Sequence, residues 1–189
     1  MRNLELFSTA SIDHLLWSSG EQATLLSSPA LSILTDFDHS QPMVIDVDTS
    51  IPNTVDIMEK THTYMRLVVD KNNNFIGIIS KKELLHRRLI KRGTQLGCNF
   101  TELTVQDLMV PRDKLLALDY QQMKTAVVSD VVRVLQEKGL HHMLVIDQDK
   151  HHIRGLISAN DVARKLNIRI DIHQPPSFQH IFKVSSHIA

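Results

Sequence analysis

Hydrophobic positions follow the same order in two stretches of the chain. Each stretch has apolar residues three or four apart, which predicts an amphipathic helix, and then a short aliphatic run, which predicts a buried strand. The helical positions are Ile51, Val55 and Met58 in the first stretch and Val128, Val131, Val132 and Leu135 in the second. Ser50 can cap the first helix, and Gly139 supplies a left-handed stop after the second.

Both aliphatic runs continue in the same way. Each ends in an aspartate, Asp70 or Asp147, and a polar turn follows. A return strand comes next, at residues 75–79 or 153–157, and leads straight into a second amphipathic helix. The apolar positions of these last helices are Leu84, Leu85 and Leu89 in the first copy and Val162 and Leu166 in the second. Each copy therefore reads helix, strand, turn, strand, helix.

The two copies form an internal repeat with an offset of about 77 residues, and the second copy has one extra residue in the turn between its strands. A unit of this size buries too little surface to be stable alone, so we expect the copies to pack together as a pseudo-twofold pair of α+β (α/β) class. We assign residues 1–26 to an N-terminal extension and 27–100 to repeat 1 with the joint at 91–98. Residues 101–170 form repeat 2, and 171–189 form a C-terminal tail.

Charge and composition narrow the functional classes. Lysine plus arginine equals aspartate plus glutamate at 21 each, so no bulk positive field favours nucleic acid. The single cysteine, Cys98, excludes an intrachain disulfide, and no apolar run approaches the ~20 residues that cross a bilayer. We expect a cytoplasmic protein without membrane insertion. Residues 61–100 are locally basic, with eight basic side chains against Asp70 and Glu83, which is typical of a solvated helix face.

A short motif recurs where the return strand meets the last helix. Gly77, Ser80 and Glu83 match Gly155, Ser158 and Asp161 position by position. A serine followed three residues later by a carboxylate is a capping box, which satisfies amides of the first helical turn. The same atoms at a helix start can also bind a phosphate and a ribose diol. Both interpretations remain open for each copy.

The duplicated arrangement resembles a tandem pair of cystathionine β-synthase (CBS) domains, known as a Bateman module, over residues 27–170. The resemblance is carried by the sequence DLMVP at 107–111, by the strands that end in Asp70 and Asp147, and by the repeated glycine-serine-acid motif. Leu67 and Leu144 depart from the proline that the family often has there. The resemblance implies a non-enzymatic regulatory module without a required cofactor. It implies a ligand between the repeats, AMP, ADP, ATP or S-adenosylmethionine, a homodimer, and a regulated partner protein.

The second motif is the better candidate for this ligand. The resemblance implies phosphates near Ser158 and a ribose on Asp161, and Asn160 lies within the same motif. His141 and His142 precede the strand, where nucleotide-sensing members often have His or Arg. Candidates for the adenine slot are Thr125, Ala126 and Val127, which can equally be core residues.

The first motif predicts a weaker site. Glu83 makes a better capping box than aspartate, and Tyr64 and Met65 replace the histidine pair. A ligand here would depend on Ser80, Glu83, Lys81, Lys82, Arg66 and Tyr64, although strand alternation can turn Arg66 away. Three interpretations of this site remain open: it is degenerate, it is selective for another ligand, or it depends on Lys81 and Lys82 for phosphate charge.

Other functions fit less well. Adjacent histidines on a strand point to opposite faces, so His141 with His142, and His151 with His152, do not predict a metal site. We find no nucleophile elbow, Walker loop, dinucleotide fingerprint or zinc-protease motif, so an enzyme is not predicted. A purely structural dimerisation module remains the alternative. A nucleotide-gated nucleic-acid binder that uses residues 81–92 is a weaker one.

Overall fold

The computed structural model describes residues 24–167, which contain six α-helices and eight strands. The helices are α1 (Ile51–Lys60), α2 (His86–Leu96), α3 (Val105–Leu108), α4 (Tyr120–Met123), α5 (Val128–Glu137) and α6 (Ala159–Lys165). The strands are β1 (Thr35–Asp36), β2 (Val44–Asp46), β3 (Met65–Val69), β4 (Phe75–Ser80), β5 (Val110–Pro111), β6 (Ala117–Asp119), β7 (His142–Asp147) and β8 (His152–Ser158). Most of the predicted N-terminal extension and all of the predicted tail lie outside the described residues.

The helices that open the two repeats have the predicted ends. Ser50 is the N-cap of α1, and its Oγ accepts a hydrogen bond from the backbone N–H of Asn53 at 3.4 Å. Gly139 follows α5 with φ +61°, a left-handed conformation that glycine adopts without steric cost. His62 takes the equivalent place after α1 with φ +50°. The prediction of both helices is confirmed.

The helix after the return strand differs between the repeats. In repeat 2, α6 follows β8 directly, as predicted. In repeat 1, the prediction that the helix follows β4 directly was wrong, because residues 81–84 form a turn and α2 begins only at His86. The carboxylate of Glu83 folds back onto Ser80 and closes this turn. Residues 91–96 of the expected joint belong to α2, which ends at Gly97 with φ +69°.

Each repeat contributes three strands to a four-stranded sheet and receives the fourth from the segment that leads into the other repeat. The strand orders are β2-β3-β4-β5 and β6-β7-β8-β1. In each sheet the first pair is parallel and the remaining pairs are antiparallel. The exchanged strands, β1 and β5, bind the two repeats into one pseudo-twofold unit.

The repeated glycine makes this exchange possible. A Cβ atom on Gly77 would lie 2.4 Å from the carbonyl oxygen of Val110 in β5, and one on Gly155 would lie 2.5 Å from the carbonyl oxygen of Thr35 in β1. Real Cβ atoms do not approach a backbone oxygen so closely, so any side chain here would push the exchanged strand away. The glycine of the motif therefore serves the fold in both repeats.

Hydrophobic cores lie within each repeat and between them. The cluster between the sheets is built on Met65, Leu67 and Leu144, of which the two leucines occupy equivalent places in the repeats. Burial of each such side chain contributes about 1.5–3 kcal/mol, so separation of the repeats is costly. The predicted α+β class is confirmed. None of the helices within residues 24–167 has the length and apolar character needed to cross a bilayer.

Candidate ligand-binding site

A cavity of about 540 Å³ lies where the two sheets meet. Its apolar wall comes from the inner strands of both sheets and includes Met65, Ile78, Leu144 and Leu156. Small-molecule sites are typically apolar clefts of ~300–1,000 Å³ with a few polar groups, and the cavity falls within this range. A molecule in it would touch both repeats.

Strand register explains why the motifs reach this cavity. Met65 at the start of β3 pairs with Ser80 at the end of β4, and His142 at the start of β7 pairs with Ser158 at the end of β8. Both motifs therefore emerge at the same edge of the paired sheets.

The cavity brings together residues that the sequence assigned to two separate sites. From the weaker site these residues are Tyr64, Ser80, Lys81, Lys82 and Glu83, and from the stronger site they are His141, His142, Ser158 and Asn160. Both sets line the same cavity.

Two charged residues of the predicted sites have partners outside the cavity lining. Asp161 lies in the first turn of α6, where its Oδ1 accepts a hydrogen bond from Arg164 Nη2 at 2.6 Å. Arg66 is buried and donates to the carbonyl oxygen of Val44 at 3.3 Å and to Thr61 Oγ1 at 2.7 Å. These contacts join Arg66 to β2 and to the end of α1.

The adenine candidates also lie away from the cavity lining. Thr125 is exposed, and its hydroxyl donates to the carbonyl oxygen of Gln122 at 3.1 Å. The carbonyl oxygen of Ala126 accepts a hydrogen bond from the N–H of Ala30 at 2.9 Å, while its side chain packs against the core of repeat 2. This segment fixes the chain before repeat 1 onto α5.

In repeat 1 the serine and the acid of the motif bind each other. Glu83 is buried, and its Oε2 accepts hydrogen bonds from the N–H of Ser80 at 3.1 Å and from its hydroxyl at 2.5 Å. Ser80 Oγ also accepts from the N–H of Lys82 at 3.3 Å, and Arg88 donates to Glu83 Oε1 at 3.5 Å. The hydrogen bonding of this motif is thus largely satisfied from within the repeat.

In repeat 2 the serine hydroxyl is used differently. Ser158 is the N-cap of α6 and lines the cavity, but its side chain makes no capping hydrogen bond. The N–H of Ala159 instead bonds the carbonyl oxygen of His141 at 2.9 Å, just as the N–H of Lys81 bonds that of Tyr64 at 3.0 Å. This backbone hydrogen bond is therefore common to both repeats, whereas the hydrogen bonds of the serine side chains differ.

Positive charge gathers at the cavity on the side of repeat 1 and its following segment. Lys81, Lys82 and Lys114 line it, and Glu83 is the only acid among the lining residues that fall within residues 24–167. The ammonium group of Lys81 lies 4.7 Å from the centre of the Tyr64 ring, a cation–π contact. Such a surface favours an anionic ligand.

His142 contributes a neutral imidazole rather than a charge near neutral pH. Burial, and next the positive charge of His141, lower the pKa of His142 from 6.5 to about 4. An imidazole in this state can donate or accept a hydrogen bond through its ring nitrogens. Within residues 24–167, no group of three or more His, Cys, Asp or Glu side chains is placed to hold a metal ion.

Sequence reasoning missed the segment that connects β5 to β6. Lys114, Leu115 and Leu116 line the cavity, and the side chain of Leu116 is 61% exposed. The available signal was a pair of adjacent leucines directly before a strand, at a place where repeat 1 has the more polar residues 41–43. An exposed leucine beside a cavity offers an apolar surface to a planar base.

The family model described as "CBS domain" matches two regions of the chain, residues 34–89 and 123–168. A search of curated protein sequences finds no match to the chain. Solved structures with the same fold include an uncharacterized conserved protein from Pyrococcus horikoshii, with 16% identity over 77% of this chain and 97% of that one and a TM-score of 0.56. CBSX2 in complex with AMP shares 21% identity over 72% of this chain and 94% of that one, with a TM-score of 0.53.

A conserved CBS-domain protein of unknown function from Thermoplasma acidophilum also has this fold. Its identity is 20% over 82% of this chain and 77% of that one, with a TM-score of 0.52. At such identities the structural likeness shows a common fold. The two family matches coincide with the two repeats that the hydrophobic pattern predicts.

Proposed function

The chain belongs to the CBS-domain family and carries two copies of the domain, and on this premise we propose that it binds an adenosine nucleotide and thereby regulates a partner protein. The ligand is AMP, ADP, ATP or S-adenosylmethionine, and no catalysis is involved. The observation that carries the proposal is the cavity of about 540 Å³ shared by the two repeats. The structurally similar CBSX2 has been solved in complex with AMP.

The chemistry of the cavity suits the base and the phosphates of a nucleotide. Leu116, Leu140 and Leu156 provide apolar contacts for the base. The hydroxyl of Ser158 can donate a hydrogen bond to a phosphate oxygen, and lysines supply the opposing charge. A nucleotide combines these apolar and anionic requirements in one molecule.

Regulation follows from the position of the cavity between the repeats. A ligand that touches both β4 and β8 binds most tightly to the arrangement of sheets that fits it. It therefore stabilises that arrangement, relative to other arrangements of the two sheets, by the difference between its binding free energies for them. A homodimer or a partner protein that contacts both repeats would sense the change.

Thermal unfolding of the full chain in the presence of AMP, ADP, ATP, NADH and S-adenosylmethionine tests the proposal. A ligand that binds only the folded state at 100 times its Kd stabilises the protein by about 2.7 kcal/mol, which raises the melting temperature by several degrees. We expect at least one adenosine ligand to do so.

Two leucines provide a matched control. Leu116 lines the cavity and Leu25 lies outside its lining, and both are 61% exposed. We expect Leu116→Asp to remove most of the ligand-induced rise and Leu25→Asp to leave it unchanged. If both variants respond like the wild type, the ligand binds elsewhere.

A structural dimerisation module is the second candidate, and the first motif supports it. Ser80 and Glu83 are joined as a cap, which is the whole function that such a module would require of them. Absence of any ligand-induced stabilisation, together with a stable dimer in sedimentation experiments, would favour this function.

A further inference from the structure

The two repeats bring unequal charge to their shared cavity. Lys81 and Lys82 follow Ser80 in repeat 1, whereas the equivalent residues after Ser158 are Ala159 and Asn160. Both pairs line the cavity. Repeat 1 therefore supplies cationic side chains where repeat 2 supplies neutral ones.

The charge of these lysines is not cancelled locally. In the part of the chain that the structure describes, no carboxylate lies within ion-pair distance of Lys81, Lys82 or Lys114. Glu83, the one acid in the described part of the lining, is buried and already binds Ser80 and Arg88. The lysines can therefore act on an anion inside the cavity.

The serine hydroxyl that is available to a ligand lies in repeat 2, opposite to the lysines of repeat 1. The hydroxyl of Ser80 donates to Glu83 at 2.5 Å and so cannot donate to a ligand without breaking that bond. The hydroxyl of Ser158 makes no capping hydrogen bond. The better hydrogen-bond donor for a first phosphate thus lies in repeat 2. The charge that would favour further phosphates lies on Lys81 and Lys82 of repeat 1 and on Lys114, whose segment packs beside β4.

We infer that the cavity holds one nucleotide per chain and selects a polyphosphate, with Lys82 and Lys114 as the residues that discriminate a triphosphate from a monophosphate. The inference rests on the proposed nucleotide function and extends it to ligand class and stoichiometry. Lys81 contributes less, because its ammonium group already lies over the ring of Tyr64. A base and ribose on the side of repeat 2 would direct the outer phosphates toward repeat 1.

Electrostatic attraction to the lysines favours ATP over AMP. ATP carries about two more negative charges than AMP at neutral pH. Attraction between these charges and the exposed lysines grows with each phosphate and weakens as salt screens it. The preference for ATP over AMP should therefore decrease with ionic strength.

Both motifs face the same cavity of about 540 Å³. A polyphosphate that spans this cavity therefore excludes a second polyphosphate by charge repulsion. This predicts a stoichiometry of one. Two independent nucleotides per chain would require the two motifs to be served by separate cavities.

Isothermal titration of the full chain with adenosine, AMP and ATP tests the inference. We expect one ATP per chain and at least tenfold tighter binding of ATP than of AMP. In a Lys82→Ala, Lys114→Ala double variant the ratio should fall to within about threefold, because ATP loses more affinity than AMP.

Two control variants make the outcomes distinct. Lys82→Arg keeps the charge and should keep the preference, and Lys71→Ala removes an exposed lysine outside the cavity lining and should change nothing. Equal affinities for AMP and ATP, or a ratio unchanged in the double variant, would overturn the inference while leaving the proposed function standing. Binding of no adenosine ligand would overturn both.

Discussion

The two copies of one motif have diverged in use and in local structure: after Ser80 the chain turns at residues 81–84, whereas after Ser158 it enters α6 directly. In repeat 1, Glu83 is buried and its carboxylate satisfies the amide and hydroxyl of Ser80. In repeat 2, Asp161 is one methylene shorter and pairs with Arg164 on the helix surface, which leaves Ser158 at the cavity without a cap. A longer acid that closes a turn thus distinguishes the structural motif of repeat 1 from the candidate binding motif of repeat 2.

This contrast shows how a duplicated fold can support a single asymmetric site. Equivalent glycines admit the exchanged strands, and equivalent leucines pack the sheets together. The architecture therefore requires both copies. The side chains that face the cavity are not needed for this architecture, so they can differ between the repeats and take on different roles in ligand binding.

The largest expected difference between the motifs is in the loss of stability when the acid of each one is removed. Glu83→Ala should lower the free energy of unfolding by about 2–4 kcal/mol, because it leaves the half-buried amide and hydroxyl of Ser80 without their acceptor and Arg88 without its ion-pair partner. Asp161→Ala removes only an exposed ion pair and should cost less than about 1 kcal/mol. Urea unfolding followed by circular dichroism measures both.

Conservative variants separate charge from hydrogen bonding in this comparison. Glu83→Gln retains an acceptor for Ser80 and should recover much of the stability that Glu83→Ala loses. Equal losses for Glu83→Ala and Asp161→Ala would mean that the two motifs play the same structural role, contrary to the hydrogen bonds in the structure.

Local signals in the sequence predict much of this fold. Helical spacing and the Ser50 and Gly139 signals place α1 and α5, and the preference of a capping box for glutamate anticipates the contact between Glu83 and Ser80. These features depend on residues close together in the chain. Their physical causes are therefore visible in a short window.

The rest depends on contacts between distant segments. The exchanged strands β1 and β5 contain two residues each and have no period to detect. The union of two expected sites into one cavity follows from the packing of Leu67 against the second sheet, which no local pattern encodes. The turn at 81–84 was missed because Leu84 and Leu85 continue the helical spacing of α2.

A smaller effect distinguishes the repeats by pH. His142 stands where repeat 1 has Met65, and burial followed by the charge of His141 lowers the pKa of His142 to about 4. The unfolded chain takes up this proton near pH 6.5 and the folded chain does not, so the free energy of unfolding falls as pH drops through this window. Between about pH 7 and pH 5 the histidine should account for about 1–2 kcal/mol of this loss.

His142→Met makes repeat 2 resemble repeat 1 at this position and should remove that part of the loss. Urea titrations of both proteins at the two pH values measure it. The wild type should lose about 1–2 kcal/mol more than the variant. Parallel losses would mean that His142 titrates equally in the folded and unfolded chains.

The functional difference between the motifs is tested most directly by titrating ATP into Ser158→Ala and Ser80→Ala by calorimetry. If the second serine binds the ligand and the first is engaged in its cap, Ser158→Ala should weaken ATP binding by about tenfold or more, the value of a hydrogen bond to a charged group. Ser80→Ala should weaken it less than about twofold while lowering stability. Equal losses of affinity, or a larger loss for Ser80→Ala, would contradict the assignment of the site to repeat 2.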